Sequence, residues 1–136
     1  MEAFELLRSR DEIAAGREKI LEWYVPFDRP ALIGYLSELS LAPGVKEGFA
    51  HLKEVGVKIA LVPITWEFAV IWLASELSAD YAIGTGWQDN RDIFWLEDKA
   101  SYLNSLFAEL NINRNALAAV GDSQGDVPML NPEAIS

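Results

Sequence analysis

Apolar positions near the start of the chain recur three and four residues apart among charges. Phe4, Leu6, Leu7, Ile13, Ile20 and Leu21 follow this spacing, which predicts a helix over residues 1–24. Pro26 and Pro30 interrupt it, and "ALIGYLSELS" predicts a second helix ending near Ser40. "LAPGVKEGFAHLKEVG" opens with Pro43 and Gly44, sets Val45, Phe49, Leu52 and Val55 on one helical face, and places Gly56 to cap the end. The period then changes. "VKIALVPI" is apolar throughout between Gly56 and Thr65, which predicts a strand buried on both faces of a parallel sheet. Its regular pairing should end at Pro63, because proline has no N–H to donate. "EFAVIWLASELS" reads as an apolar helix, and "ADYAIGTGWQDNRDIFW" as strand-like pieces around a polar "QDNR" turn, the pattern of a hairpin. "DKASYLNSLFAELN" is an amphipathic helix with Tyr102, Leu103, Leu106, Phe107 and Leu110 on its inner stripe. "ALAAV" is the second expected buried strand, and "GDSQGDVPML" leads from it toward another helix.

Helix, strand, helix, hairpin, helix, strand, helix is the order of an α/β domain with a Rossmann-like parallel core. Such sheets bind ligands beyond the carboxyl ends of their strands, where Thr65 and the Asp122 loop must lie. With 136 residues, the chain is one domain, or one domain with a small accessory piece.

Composition narrows the partners. Half the residues (51%) are hydrophobic, enough for a buried core. A formal net charge of −10 argues against nucleic acid, whose phosphates need basic patches, but leaves room for a small phosphorylated metabolite held by one lysine and a metal ion. The absence of cysteine removes disulfides, zinc thiolates and thiol nucleophiles. No apolar run reaches membrane-spanning length, and "MEAFELLRSRDE" is charged from its second residue, so a soluble, cytoplasmic protein with no membrane partner is expected. His51 lies off its helix's apolar stripe and reads as a solvated residue.

Three polar features fall at element ends. Thr65 follows the first strand, Lys99 begins a helix, and Asp122 and Asp126 follow the second strand. A hydroxyl with helix-start N–H groups can hold phosphate oxygens. A lysine can neutralise charge, and carboxylates in a tight turn can hold Mg²⁺, which prefers oxygen ligands. Each also has a plainer reading: a helix cap for Thr65, a surface residue for Lys99, and a turn with a capping aspartate for "GDSQGD". Tryptophans 23, 66, 72, 87 and 95 read as packing residues, with Trp66 open to a ligand role.

Taken together, the segment from Leu41 to Leu130 resembles the haloacid dehalogenase superfamily of phosphohydrolases, and within it the phosphoserine phosphatase branch. The resemblance is carried by "LAPGVKEGFAHLKEVGVKIALVPIT" ending on Thr65, by "TWEF", by Lys99 in "EDKASYL", and most specifically by "GDSQGDVPML". The gaps also suit the family: 34 residues from Thr65 to Lys99 (99 − 65) and 23 from Lys99 to Asp122 (122 − 99). The resemblance implies that Thr65 binds the transferring phosphoryl group, that Lys99 offsets its charge, that Asp122 is a Mg²⁺ ligand, and that Asp126 orders the loop or assists the metal. Ser123, Trp66 and Glu67 would lie beside the substrate, and Gly121 and Gly125 would let the loop turn. The family's reaction forms an aspartyl-phosphate that water then hydrolyses.

The family's nucleophile motif, Asp-x-Asp-x-Thr, does not occur in the chain: Asp11, Asp28, Asp80, Asp89, Asp92 and Asp98 stand in other contexts. Residues 1–40 resemble the helical cap of the phosphatase branch, and residues 41–136 a partial core. The chain therefore reads as the interior of a longer enzyme. It is expected to bind Mg²⁺ weakly and to hydrolyse no phosphomonoester by itself, and neighbouring strands should expose apolar edges. Trp66 and Glu67 replace the small glycines of the branch's turn, and Arg8, Arg10, Arg17 and Arg29 are cap candidates for substrate contact. The alternative is a non-catalytic α/β module that binds a phosphorylated metabolite or a protein partner, with dimerisation across the open sheet edge possible.

Overall fold

The computed structural model describes residues 9–87 and 93–130. Phe4, Leu6, Leu7, Arg8, Asp89, the "QDNR" turn and the final residues 131–136 lie outside that description.

Local sequence sets the helix ends. Helix α1 (Arg10–Tyr24) starts at a capping box: Ser9 Oγ accepts the Glu12 N–H at 3.2 Å, and Glu12 Oε2 accepts the Ser9 N–H at 3.0 Å. Helix α2 (Arg29–Ser37) is capped by Asp28, whose Oδ1 accepts the Ala31 N–H at 2.9 Å, with Pro30 in the first turn. Helix α3 (Val45–Glu54) ends at Gly56, which takes the left-handed conformation (φ 83°) expected of a terminating glycine. Helix α4 (Glu67–Leu77) buries Phe68, Val70 and Leu77. Helix α5 (Asp98–Leu110) buries Leu103 and Leu106, with Tyr102, Phe107 and Leu110 half-buried along the expected stripe. A short helix α6 (Val127–Leu130) follows a 3-10 turn at Gln124–Asp126.

Strands β1 (Ala60–Leu61) and β2 (Tyr81–Ala82) pair in parallel, with Ala60 opposite Tyr81 and Leu61 opposite Ala82, and α4 makes the crossover. Asp80 anchors the start of this pair. Its Oδ2 accepts the Ile59 N–H at 3.0 Å, and its Oδ1 takes Lys53 and Lys58 at 3.0 and 3.1 Å. The Ile59 bond, then the two lysines, hold its carboxyl at about 2 against the opposing cost of burial. Pairing lapses around Pro63 as expected and resumes at the Trp66–Thr85 bridge, where Thr85 N–H donates to Thr65 O at 2.8 Å.

Three expectations are corrected. The first strand is two residues long and half-buried rather than buried on both faces, although Ile59 beside it is buried. "ALAAV" forms no strand: residues 117–120 follow a 3-10 turn (Arg114–Ala116), pair with nothing among the described residues, and leave Val120 90% exposed. Apart from these, the outer half of the α3 stripe, which does lie on one face, is uncovered, with Leu52 at 41% and Val55 at 62% exposure. No described strand pairs with the free edge of β1. Lastly, no ladder joins the arms of the expected hairpin among the described residues, and a side chain links them instead. Thr85 Oγ1 donates to Phe94 O at 2.9 Å and accepts the Phe94 N–H at 3.1 Å.

Two clusters of buried residues stand out among the described residues. Leu32, Trp66, Phe68 and Trp87 form one, with Ile20, Leu21, Tyr24, Ile33 and Leu36 of α1 and α2 packed against it. Trp87 meets Tyr24, Trp66 and Phe68 edge-on at 5.6, 5.6 and 5.0 Å between ring centroids. Leu103 and Met129 form the other, with Val62, Phe107, Leu117 and Ala119. No described helix is long and apolar enough to cross a membrane.

Candidate functional site

Beyond the carboxyl end of β1, contacts join three segments: the turn 64–67, residues 94–99 at the start of α5, and the loop 121–126.

Lys99 sits in the first turn of α5 and is only 5% exposed. A cation there opposes the helix dipole and has lost its water, so it needs a counter-charge. Asp126 supplies it, with Oδ1 2.5 Å from Lys99 Nζ. The other oxygen, Oδ2, accepts the backbone N–H groups of Asp122 and Ser123 at 3.2 Å each and the Ser123 hydroxyl at 2.9 Å. These donors, Lys99 foremost, hold the Asp126 carboxyl at about 2 although burial pushes it the other way. Asp126 is thus the hub that shapes "GDSQGD". Asp122 is exposed beside it.

The loop glycines act through space rather than through backbone freedom. Positive φ occurs at Gly44 and Gly56 among the described glycines, and at neither Gly121 nor Gly125. A Cβ on Gly121 would lie 2.7 Å from Asp126 Cγ and 2.9 Å from Oδ2, and one on Gly125 would lie 2.8 Å from Leu96 Cδ2. Glycine at 121 lets Asp126 fold back over the turn, and glycine at 125 lets the loop pack on Leu96.

Thr65 is exposed. It is not the cap of α4: Trp66 holds the N-cap position, and no side chain caps that helix start. The turn's backbone is pinned from inside. Ile64 O accepts from Arg17 and from Thr85 Oγ1 at 3.3 Å, and Thr85 O accepts the Glu67 N–H at 2.7 Å. Gly84 makes room for this, because a Cβ there would lie 2.8 Å from Thr65 O.

The structure therefore brings Lys99, Asp126, Asp122 and Ser123 together directly. Thr65 is connected to them by relay, through Thr85 to Phe94 and on to Trp95, whose N–H donates to Asp98 Oδ2 at 2.9 Å. Trp66 is 8% exposed in the core, so its indole packs instead of standing over the turn. Glu67 lies in the first turn of α4, where a carboxylate suits the dipole, 3.7 Å from Arg29 Nη2. Of the cap arginines, Arg29 thus faces Glu67, Arg17 is buried against the turn, and the side chain of Arg10, like Arg8, lies outside the described residues.

Sequence reading passed over Thr85 and the placement of Arg17. Thr85, 2% exposed, joins segments distant in sequence, and no local pattern marks it. Arg17 had a signal: it occupies the apolar stripe Ile13–Arg17–Ile20–Leu21, where an apolar residue is the norm.

A Mg²⁺ ion suits oxygen donors, and the loop offers one free carboxylate, that of Asp122, since both oxygens of Asp126 are engaged. No group of three or more candidate ligands occurs among the described residues. These residues do not by themselves make up a metal centre.

Comparison with protein-family profiles and with curated proteins finds no match. Among solved structures, the chain is similar to a HAD family hydrolase from Salmonella enterica subsp. enterica serovar Typhi, at a TM-score of 0.66 and 27% sequence identity. The fold is haloacid dehalogenase-like. The alignment covers 75% of this chain and 38% of the hydrolase, so the chain spans well under half the length of the HAD enzyme it matches.

Proposed function

We propose that this chain carries the phosphate- and metal-handling part of a HAD-type phosphomonoester hydrolase of the phosphoserine phosphatase-like branch. The buried Lys99–Asp126 pair under the "GDSQGD" loop carries this reading. A desolvated lysine at a helix start is costly, and an apolar residue would serve the core better unless the charge is used. The similarity to a HAD family hydrolase supports the same class of reaction.

In this reading Thr65 and the uncapped start of α4 bind the phosphoryl oxygens of a small phosphorylated metabolite of the phosphoserine type. Lys99 keeps one donor on Asp126 and turns its others toward the phosphoryl group. Asp126 answers the charge of Lys99 through their ion pair and holds the loop so that Asp122 is presented. Mg²⁺, when bound, would neutralise phosphoryl charge. Asp122 would contribute to holding it, weakly in this chain because further ligands are needed. The α1–α2 unit is the cap, which excludes water and selects the substrate.

The nucleophilic aspartate belongs to a strand between the free edge of β1 and the segment 117–120, which no described residue supplies. The exposure of Leu52, Val55, Val57 and Val120 supports that placement, since such a strand would cover apolar surface and satisfy open backbone groups. The same surface fits the second reading, a non-catalytic module with a protein partner, which turnover separates.

The test is hydrolysis of phosphoserine and p-nitrophenyl phosphate with Mg²⁺, by residues 1–136 and by the longest open reading frame containing them. The 1–136 chain is expected at background and the longer product active, with Asp122→Asn abolishing its turnover. Mg²⁺-dependent turnover by 1–136 would refute the fragment reading, and an inactive longer product would favour the binding module.

A further inference from the structure

We propose that Arg17 is a positioning residue for the Thr65 turn, tying the conformation of that turn to the seating of α1. The proposal rests on the reading of Thr65 as a phosphate-binding group. Arg17 lies mid-helix and is 7% exposed. Its guanidinium carbon is 4.8 Å from the centroid of Trp66 and 5.5 Å from that of Trp95, and Nη2 donates to the Ile64 carbonyl. A planar fork can lie against two indoles and still donate in its own plane, which a lysine ammonium cannot do. Burial lowers its pKa to about 10, which leaves it charged at neutral pH.

The contact falls on the peptide that matters. In a trans peptide the carbonyl of Ile64 and the N–H of Thr65 point in opposite directions across one plane. Holding the carbonyl inward, with Thr85 Oγ1 as second donor at 3.3 Å, therefore aims the Thr65 N–H away from the core, on the side where Thr65 is exposed. The Trp95 contact extends the effect, because Trp95 also bonds Asp98, the residue before Lys99. A shift of α1 is felt at both ends of the candidate site.

Arg17→Lys keeps the charge and loses the fork, and Trp95→Leu removes one face of the stack should Arg17→Lys not fold. Glu22→Gln, on the exposed side of α1, is the control. Amide and indole NMR of the 1–136 chain is expected to show the Thr65 amide and the Trp66 indole moving in Arg17→Lys and in Trp95→Leu. The signals of Lys46 and Glu76 should stay in place, and Glu22→Gln should match the parent. Affinity for inorganic phosphate should fall about tenfold in Arg17→Lys, as for loss of a charged hydrogen bond. A folded Arg17→Lys or Trp95→Leu chain that loses thermal stability yet keeps the parent Thr65 amide signal would overturn the proposal and make Arg17 a packing residue. If the parent chain binds no phosphate, the reading of Thr65 fails, while the Thr65 amide shift still decides whether Arg17 sets the turn.

Discussion

Asp126 is the residue on which the candidate loop turns, since one carboxylate answers Lys99 and three donors of its own loop. Asp126→Asn leaves Lys99 buried without its counter-charge and is expected to destabilise the chain by about 3 kcal/mol, read from urea unfolding. The pH dependence has a definite sign. With the carboxyl held at about 2 in the fold against 3.8 when free, the unfolded chain takes up its proton first as pH falls. The contribution is therefore complete above about pH 4 and is lost as pH falls from there through about 2. The stability gap between parent and Asp126→Asn should narrow over that window. Gly121→Ala tests the same loop from the steric side. The added methyl must displace Asp126, so the variant should lose stability and shift the Asp122 and Ser123 amides in NMR spectra.

Among the elements, the turn between β1 and α4 depends on groups that no single stretch of sequence announces. Thr85→Val removes the hydroxyl shared by Ile64 and Phe94 while keeping the shape. A loss of about 2 kcal/mol is expected, largely restored by Thr85→Ser, in thermal or urea unfolding. Local features were legible in the sequence because they obey local rules. The α5 stripe, the Gly56 terminator and the lapse of pairing at Pro63 are each set by neighbours within a turn or two. The Arg17 and Thr85 contacts were not, because they join residues 47 and 21 positions apart. "ALAAV" misled for a related reason. Its apolar run meets the local requirement for a strand, but a strand also needs a neighbour, and the described residues offer none.

For the molecule as a whole, the sequence made the HAD-like core legible through "GDSQGDVPML" and the spacing of Thr65 and Lys99, and the solved relative agrees in fold. Among the described residues β1 is paired on one edge only, and apolar residues at 52, 55, 57 and 120 stand in solvent. Open apolar surface of this kind should bind the dye ANS, and the longer reading frame should bind less of it per chain if it supplies the covering strand. Phosphate binding between the Thr65 turn and Lys99 is the heart of the proposed function. It is tested most directly by titrating the 1–136 chain with inorganic phosphate while following backbone amides and the Lys99 side chain by NMR. Saturable shifts are expected at Thr65, Trp66 and Lys99 that vanish in Thr65→Val, with His51 and Lys46 unmoved. Shifts confined to exposed lysines, or equal in Thr65→Val, would contradict it.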